Sequence, residues 1–349
     1  MSTQPPPDET GTETGIRRRN LLAVAALTPA SAKLALRDSH AERDPHAERD
    51  PHAGHDSHAG HDRTGRPATP VPSTTATWAG VAGTLGRSGN MIRGLYYHTP
   101  FPRWDLHVVS RGITLTPGLA LGSHVSFARY SDGNTLVMGD LIITECRLQR
   151  LNDALHTHGF MQTAIHKHLL AHTPALWWTH IHTQGRDPVR MARGLRAVVE
   201  ATGTPPPPPP ARPRPIDLDT AGIDRALGVP GTTANGVHAC TFIRRETIVD
   251  HNRALPPGLG ATTAFTFQPL GGGRAALSGD FAMVSGEVHD VLATLRHGSI
   301  DLVELHNHGL TEEPRLFFLH LWAVGDGVAL ARSLRRAVSL TNVAPAPGS

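Results

Sequence analysis

Two stretches of this 349-residue chain carry histidines at the same spacing. One reads His166-Lys167-His168, then Pro174, then His180. The other reads His306-Asn307-His308, then Pro314, then His320, at a constant offset of 140 (306−166, 308−168, 314−174, 320−180). A packed core asks for apolar volume at such positions, whereas neutral imidazole is a ligand for Zn²⁺, Cu²⁺, Fe²⁺ or Mn²⁺. In a strand, residues i and i+2 share a face, so each His-x-His pair can reach one ion. If residues 300–308 and 316–324 form a hairpin, His320 approaches the pair from the neighbouring strand, and Glu312 in the connecting loop adds an oxygen. Copy one carries His172 in place of Glu312 and adds His182, an all-imidazole set that favours Zn²⁺ or Cu²⁺. The expected ligands are therefore His306, His308, His320 and Glu312 in one copy, and His166, His168, His172, His180 and His182 in the other. Each set is expected to converge inside its own half of the molecule.

Three functions fit such a pattern. The first is an exported protein that buffers, senses or delivers Zn²⁺ or Cu²⁺. The second is a metal-dependent envelope hydrolase in which the copy-two site activates water, with Glu304 or Glu312 as general base. The third is a non-catalytic protein for a cell-envelope ligand or partner, in which the histidines only hydrogen-bond the hairpin. Neither a G-x-S-x-G elbow, a phosphate-binding loop nor a dinucleotide fingerprint is present. Asp140 and Asp280 each follow a glycine, a turn signal, and a turn or cap role is expected for both. Arg103 with Asp105 and Arg244 with Glu246 read as ion pairs, and Trp177 and Trp178, matching Phe317 and Phe318, as core strand residues.

The elements that must hold these groups are legible in copy two. Phe265 to Phe267 and Ala275 to Val284 have strand character around the turn Gly271-Gly272-Gly273. Glu287 to Leu295 places Val288, Val291, Leu292 and Leu295 on one helical face. Residues 300–308 and 316–324 return to strand, and Asp326 caps an amphipathic helix carrying Val328, Leu330, Leu334 and Val338. The order β-β-α-β-β-α predicts an α+β fold, a mostly antiparallel sheet with helices on one face, ferredoxin-like as the best topology. Residues 117–180 align with 257–320 without a gap and share Pro117/Pro257, Gly118/Gly258, Phe127/Phe267, Gly139/Gly279 and Asp140/Asp280. A repeat of about 120 residues is a domain and not a solenoid unit. The predicted division is 1–32 signal segment, 33–75 histidine-rich tail, 76–201 first repeat domain, 202–216 proline-rich linker, 217–342 second repeat domain and 343–349 tail.

Residues 16–32 read IRRRNLLAVAALTPASA, a twin-arginine pattern, a short apolar run and a small-x-small site, predicting export and cleavage near Ala32. The apolar run is far short of the roughly 20 residues that span a bilayer, so no stable membrane anchor is expected. Residues 40–62 repeat with a period of six and are rich in histidine, which predicts a disordered, metal-collecting arm. Pro205 to Pro210 predicts a stiff strut between the copies. A net charge of +3 without a basic stripe argues against nucleic acid as a partner. The two cysteines, Cys146 and Cys240, do not correspond under the repeat, so no disulfide framework is expected and both are read as buried, unrelated thiols.

The stretch Gly279-Asp280-Phe281, Glu287-Val288, Leu305 to His308, then Glu312 to Phe318 and His320 to Ala323 resembles the LppY/LpqO family of bacterial envelope proteins and lipoproteins. The resemblance spans roughly residues 78–341 and implies two such domains and an extracytoplasmic location, with no established activity. This chain departs from that pattern in lacking a lipidation cysteine, which implies a protein free of a lipid anchor. In copy one Lys167, Arg147 and His172 stand where copy two has Asn307, Glu287 and Glu312.

Overall fold

The computed structural model describes residues 65–207 and 215–346. The expected signal segment, most of the histidine tail, residues 208–214 of the linker and the last three residues lie outside the described residues. Copy one runs α1 (Ala79–Leu85), β1 (Asn90–Ile92), β2 (Tyr96–Pro102), β3 (Val109–Ser110), β4 (Ile113–Thr114), β5 (Gly122–Arg129), β6 (Thr135–Thr144), α2 (Leu148–Thr157), β7 (Met161–His166), β8 (His172–Thr173), β9 (Leu176–Gly185) and α3 (Pro188–Thr202). Copy two repeats the plan with α4 (Thr220–Leu227), β10 (Thr232–Ala234), β11 (Val237–Arg244), β12 (Val249–Asp250), β13 (Arg253–Ala254), β14 (Thr262–Gly271), β15 (Arg274–Val284), α5 (Ser285–His297), β16 (Asp301–His306), β17 (Leu316–Asp326), α6 (Gly327–Val338) and β18 (Val343–Pro345).

The first sheet has the order β1-β2-β5-β6-β9-β7 and the second β10-β11-β14-β15-β17-β16, antiparallel throughout. Strand β9 lies between β6 and β7, and β17 between β15 and β16. That is the split β-α-β core of ferredoxin-like folds, entered here at a different strand and extended along one edge. The α+β reading holds, and so do the expected elements. Asp326 caps α6 by accepting from the Ala329 amide at 2.8 Å, and Gly271, Gly272 and Gly273 all take positive φ in the turn (87°, 59° and 75°). Strand β16 stops at His306, two residues earlier than expected. The Asn307 side chain donates there to the carbonyls of Thr163 and Gly309 and ends the ladder.

Period-2 alternation sorts each sheet into two faces. Odd positions such as Leu141, Ile143 and Ile181 pack under α1, α2 and α3. Their counterparts Phe281, Met283 and Leu321 pack under α4, α5 and α6. The opposite face of each sheet turns toward the other copy. One apolar cluster joins Tyr96, Leu136 and Met138 to Leu255, Leu259 and Phe318; its mirror joins Leu115, Leu119 and Trp178 to Val237, Ala276 and Trp322. The loop ahead of the third major strand of each copy thus covers the inner face of the other, and the described residues form one compact unit.

Polar contacts fasten the same exchange. The Gln268 side chain accepts from the Thr116 amide and donates to the Thr114 carbonyl, both at 2.8 Å. Arg253 reaches Gln184 and Asp132, and Arg111 pairs with Asp301. The thiols of Cys146 and Cys240 are unpaired. Cys240 is buried as expected but Cys146 is exposed, since it sits in a single turn ahead of α2 and not in a strand. Among the described residues no helix is long and apolar enough to cross a membrane.

Replacing Gln268 by Ala strips a buried amide of its partner, a loss of about 1–3 kcal/mol. A midpoint shift in urea of that size is expected; an unchanged midpoint would show that the Thr114–Thr116 segment is not fastened to copy two.

Candidate metal centre

The six histidines of the repeated pattern meet, but between the copies and not inside each one. His166 stacks on His306 with ring centroids 4.2 Å apart. His180 of copy one lies 3.8 Å from His308 of copy two, and His168 of copy one lies 3.8 Å from His320 of copy two. The reason is the sheet pairing. The third histidine of each copy sits in mid-strand on the inner face, opposite Asp140 or Asp280 on the next strand, and the inner faces pack on each other. The expectation of one convergence point per half is therefore corrected to one shared cluster.

Asp140 and Asp280 belong to this cluster. Both lie inside strands β6 and β15 and not in turns, so their expected turn or cap role is also corrected. The preceding glycines have a packing reason: a Cβ at Gly139 or Gly279 would meet the carbonyl oxygen of His124 at 2.5 Å or of Ala264 at 2.8 Å. Asp140 Oδ2 lies 3.0 Å from His168 Nε2 and 3.7 Å from His166 Nε2, and these two nitrogens are 2.9 Å apart. Asp280 Oδ2 lies 3.7 Å from His308 Nε2. Trp178 under His168 and Phe318 under His308 form stacked floors that fix the ring planes.

Three groups of donors within this cluster are close enough to hold a metal ion: His166, His306 and His320; His180, His306 and His308; and Asp140, His166 and His168. Eight buried polar atoms here have no hydrogen-bond partner among the described residues: His166 Nδ1, His180 Nε2, both nitrogens of His306, His308 Nε2, His320 Nε2, Asp140 Oδ1 and Asp280 Oδ1. Buried polar groups in folded proteins are satisfied as a rule, and a concentration of exceptions calls for an ion or water.

The remaining expected ligands and the candidate base Glu304 lie outside the cluster, each with its own structural task. His172 Nε2 accepts from the Leu176 amide at 3.0 Å, and Glu312 Oε1 accepts from the Leu316 amide at 3.2 Å, equivalent braces across the Pro174 and Pro314 turns. Glu304 Oε2 accepts from the Lys167 amide at 2.7 Å and ties the two His-x-His segments together. His182 Nδ1 lies 3.5 Å from Asp250 Oδ2, across the interface. Sequence reasoning missed His98 and His124, whose rings are 5.5 Å apart beside Asp140 in copy one. Their signal was position, since both fall on the inward alternation of β2 and β5.

A fourth donor group, Asp224, His238 and Cys240, is of another kind. His238 Nε2 lies 2.8 Å from Asp224 and its Nδ1 2.9 Å from Thr233. The thiol, pushed up to about 12 by burial and by the Asp224 charge, stays protonated and donates to that carboxylate. Hydrogen bonds satisfy this group.

Over the six-histidine cluster opens a cleft of about 990 Å³, lined by Asp140, His168, His180, Asp280, His308 and His320. Burial, then the neighbouring imidazoles, holds His166, His168, His308 and His320 well below the usual histidine range. His180 is likewise held down by burial against the pull of Asp140, and His306 is lowered to about 4. Burial, then the Asp140 charge, pushes Asp280 well up. At neutral pH the rings are therefore in the lone-pair form a metal needs.

Between the ordinary value of 6.5 and about 4 the unfolded chain binds protons that folded His306 and its neighbours refuse, so stability rises with pH across that interval. Asp280 acts in the opposite sense, but one carboxyl opposes six imidazoles. The metal-free protein should melt at progressively lower temperature on acidification from about 6.5 to 4, with no such slope above; a flat profile in a pH series of thermal melts would contradict the neutral cluster.

No curated protein matches this chain. Solved structures with some likeness include a trimeric bacterial microcompartment shell protein PduB (13% identity, 70% of this chain and 86% of that chain, TM-score 0.17). Two others are the double-ringed trimeric shell protein MSM0271 (11%, 70% and 93%, TM-score 0.16) and EtuB from Clostridium kluyveri (12%, 70% and 86%, TM-score 0.16). At such scores nothing is carried over from them. A family model matches twice, once per copy, and over more than half the chain: residues 79–201 and 221–340 belong to the family described as Domain of Unknown Function (DUF1259).

Proposed function

We propose that this protein binds a transition metal, Zn²⁺ or Cu²⁺, in the histidine cluster between its two copies. One observation carries the reading: six imidazoles and two carboxylates are gathered at the interface with eight buried polar atoms lacking partners. Neutral nitrogen donors with few oxygens suit Zn²⁺ and Cu²⁺ better than harder ions. The rest of the reading follows from the sequence. The twin-arginine pattern directs the chain out of the cytoplasm, with cleavage near Ala32, and the histidine-rich arm collects metal for the centre. The resemblance to the LppY/LpqO envelope family belongs to the same reading, as does the division into 76–201 and 217–342 around a proline-rich linker.

The cleft over the cluster favours a second reading, a metal-dependent hydrolase, because donors that line an open cavity leave a coordination position for substrate. In that case Glu304 and Glu312 are poor general bases, since each already accepts from a backbone amide.

Metal analysis of the full chain against a His306→Ala/His308→Ala variant, with the fold checked by circular dichroism, tests the proposal. Subtracting the variant from the wild type cancels metal held by the arm. A loss of bound Zn²⁺ or Cu²⁺ is expected, together with a metal-induced stabilisation of about 2.7 kcal/mol at a hundredfold excess over Kd that the variant lacks. Equal metal content in a folded variant would remove the reading. Glu312→Gln, which keeps the acceptor for the Leu316 amide, should bind metal as the wild type does; a loss there would return Glu312 to the ligand shell.

A further inference from the structure

We propose that the centre holds two ions per chain, one on Asp140, His166 and His168, the other on His180, His306 and His308; this rests on the metal-binding reading above. The two triads share no residue, and the donor atoms within each lie within 4.8 Å of one another. The first has edges of 2.9, 3.0 and 3.7 Å between His166 Nε2, His168 Nε2 and Asp140 Oδ2. Three donors at those separations lie about 1.9 Å from their common centre. A first-row ion with bonds of about 2.0–2.1 Å fits slightly above such a plane, as at one face of a tetrahedron.

One ion cannot serve both triads. His180 groups with His306 and His308 and not with the first triad, and its Nε2 has no partner. Filling the first triad alone leaves His180 Nε2, His306 and His308 Nε2 buried and without partners. A tetrahedral ion takes four ligands, and the six imidazoles and two carboxylates number two fours. Asp280, 3.7 Å from His308 Nε2, is the oxygen counterpart of Asp140 for the second ion. His320 groups with His166 of one triad and His306 of the other, and so stands between the two ions.

The second triad also crosses the repeat. Two ligands come from copy two and the third, His180, from β9 of copy one. His166 of the first triad stacks on His306 of the second, while Asp140, His168, His180 and His308 line the cleft. Both triads therefore place donors on the same cavity.

The test uses the full chain dialysed against Zn²⁺ and compares His166→Ala/His168→Ala, His306→Ala/His308→Ala and the quadruple variant. The wild type should exceed the quadruple variant by two equivalents and each double variant by one. His180→Ala should lose the same single equivalent as His306→Ala/His308→Ala. On the wild type alone, where folding is not at issue, Cu²⁺ loading should give an electron paramagnetic resonance spectrum broadened by a second Cu²⁺, with a half-field line. A wild-type excess of one equivalent, or an isolated-Cu²⁺ spectrum at full loading, overturns the two-ion centre and leaves metal binding standing. No excess over the quadruple variant overturns both.

Discussion

The structure depends on burying a polar cluster between the two sheet faces. A buried polar atom without a partner costs about 1–3 kcal/mol, and eight such atoms lie here. Ordered water or a bound ion would offset that cost. Neutral imidazoles, with pKa values held down by burial, cannot offset it as ion pairs, but they have lone pairs to give. The electrostatics and the metal reading thus have one cause, the burial of these groups between the two copies.

Around that cluster the rest of the interface is built for rigidity. Apolar clusters flank it on both sides, one centred on Met138, Leu259 and Phe318, the other on Leu119, Trp178 and Trp322. Aromatic floors set the ring planes of His168 and His308. Glu304 joins the two His-x-His segments, and His172 and Glu312 hold the proline turns that lead into β9 and β17. Several residues that looked like ligands in one dimension are braces in three, because a carboxylate or imidazole near a strand end satisfies a backbone amide before it can reach an ion.

Much of the architecture was legible because alternation is a local signal. The strands of copy two, α5, the cap at Asp326 and the α+β class all follow from period 2 giving way to period 3.6 and back. The repeat made the histidine spacing visible and separated His166, His168, His180, His306, His308 and His320 from a chain rich in histidine. Asp140 and Asp280 were misread because Gly-Asp is a common turn signal. Here the glycine instead relieves a close approach of two strands, which no local pattern encodes.

The sequence by itself determined which side chains face inward, since that depends only on strand parity and on the apolar pattern that decides which face is buried. It determined the twofold repetition of the donors for the same reason. Only the tertiary structure decided that the two donor sets merge, that His180 groups with His306 and His308 of the other copy, and that His172, His182, Glu304 and Glu312 stand apart. Those outcomes depend on how one sheet is placed against the other, a sum of many long-range contacts between copies with no signature in residue spacing.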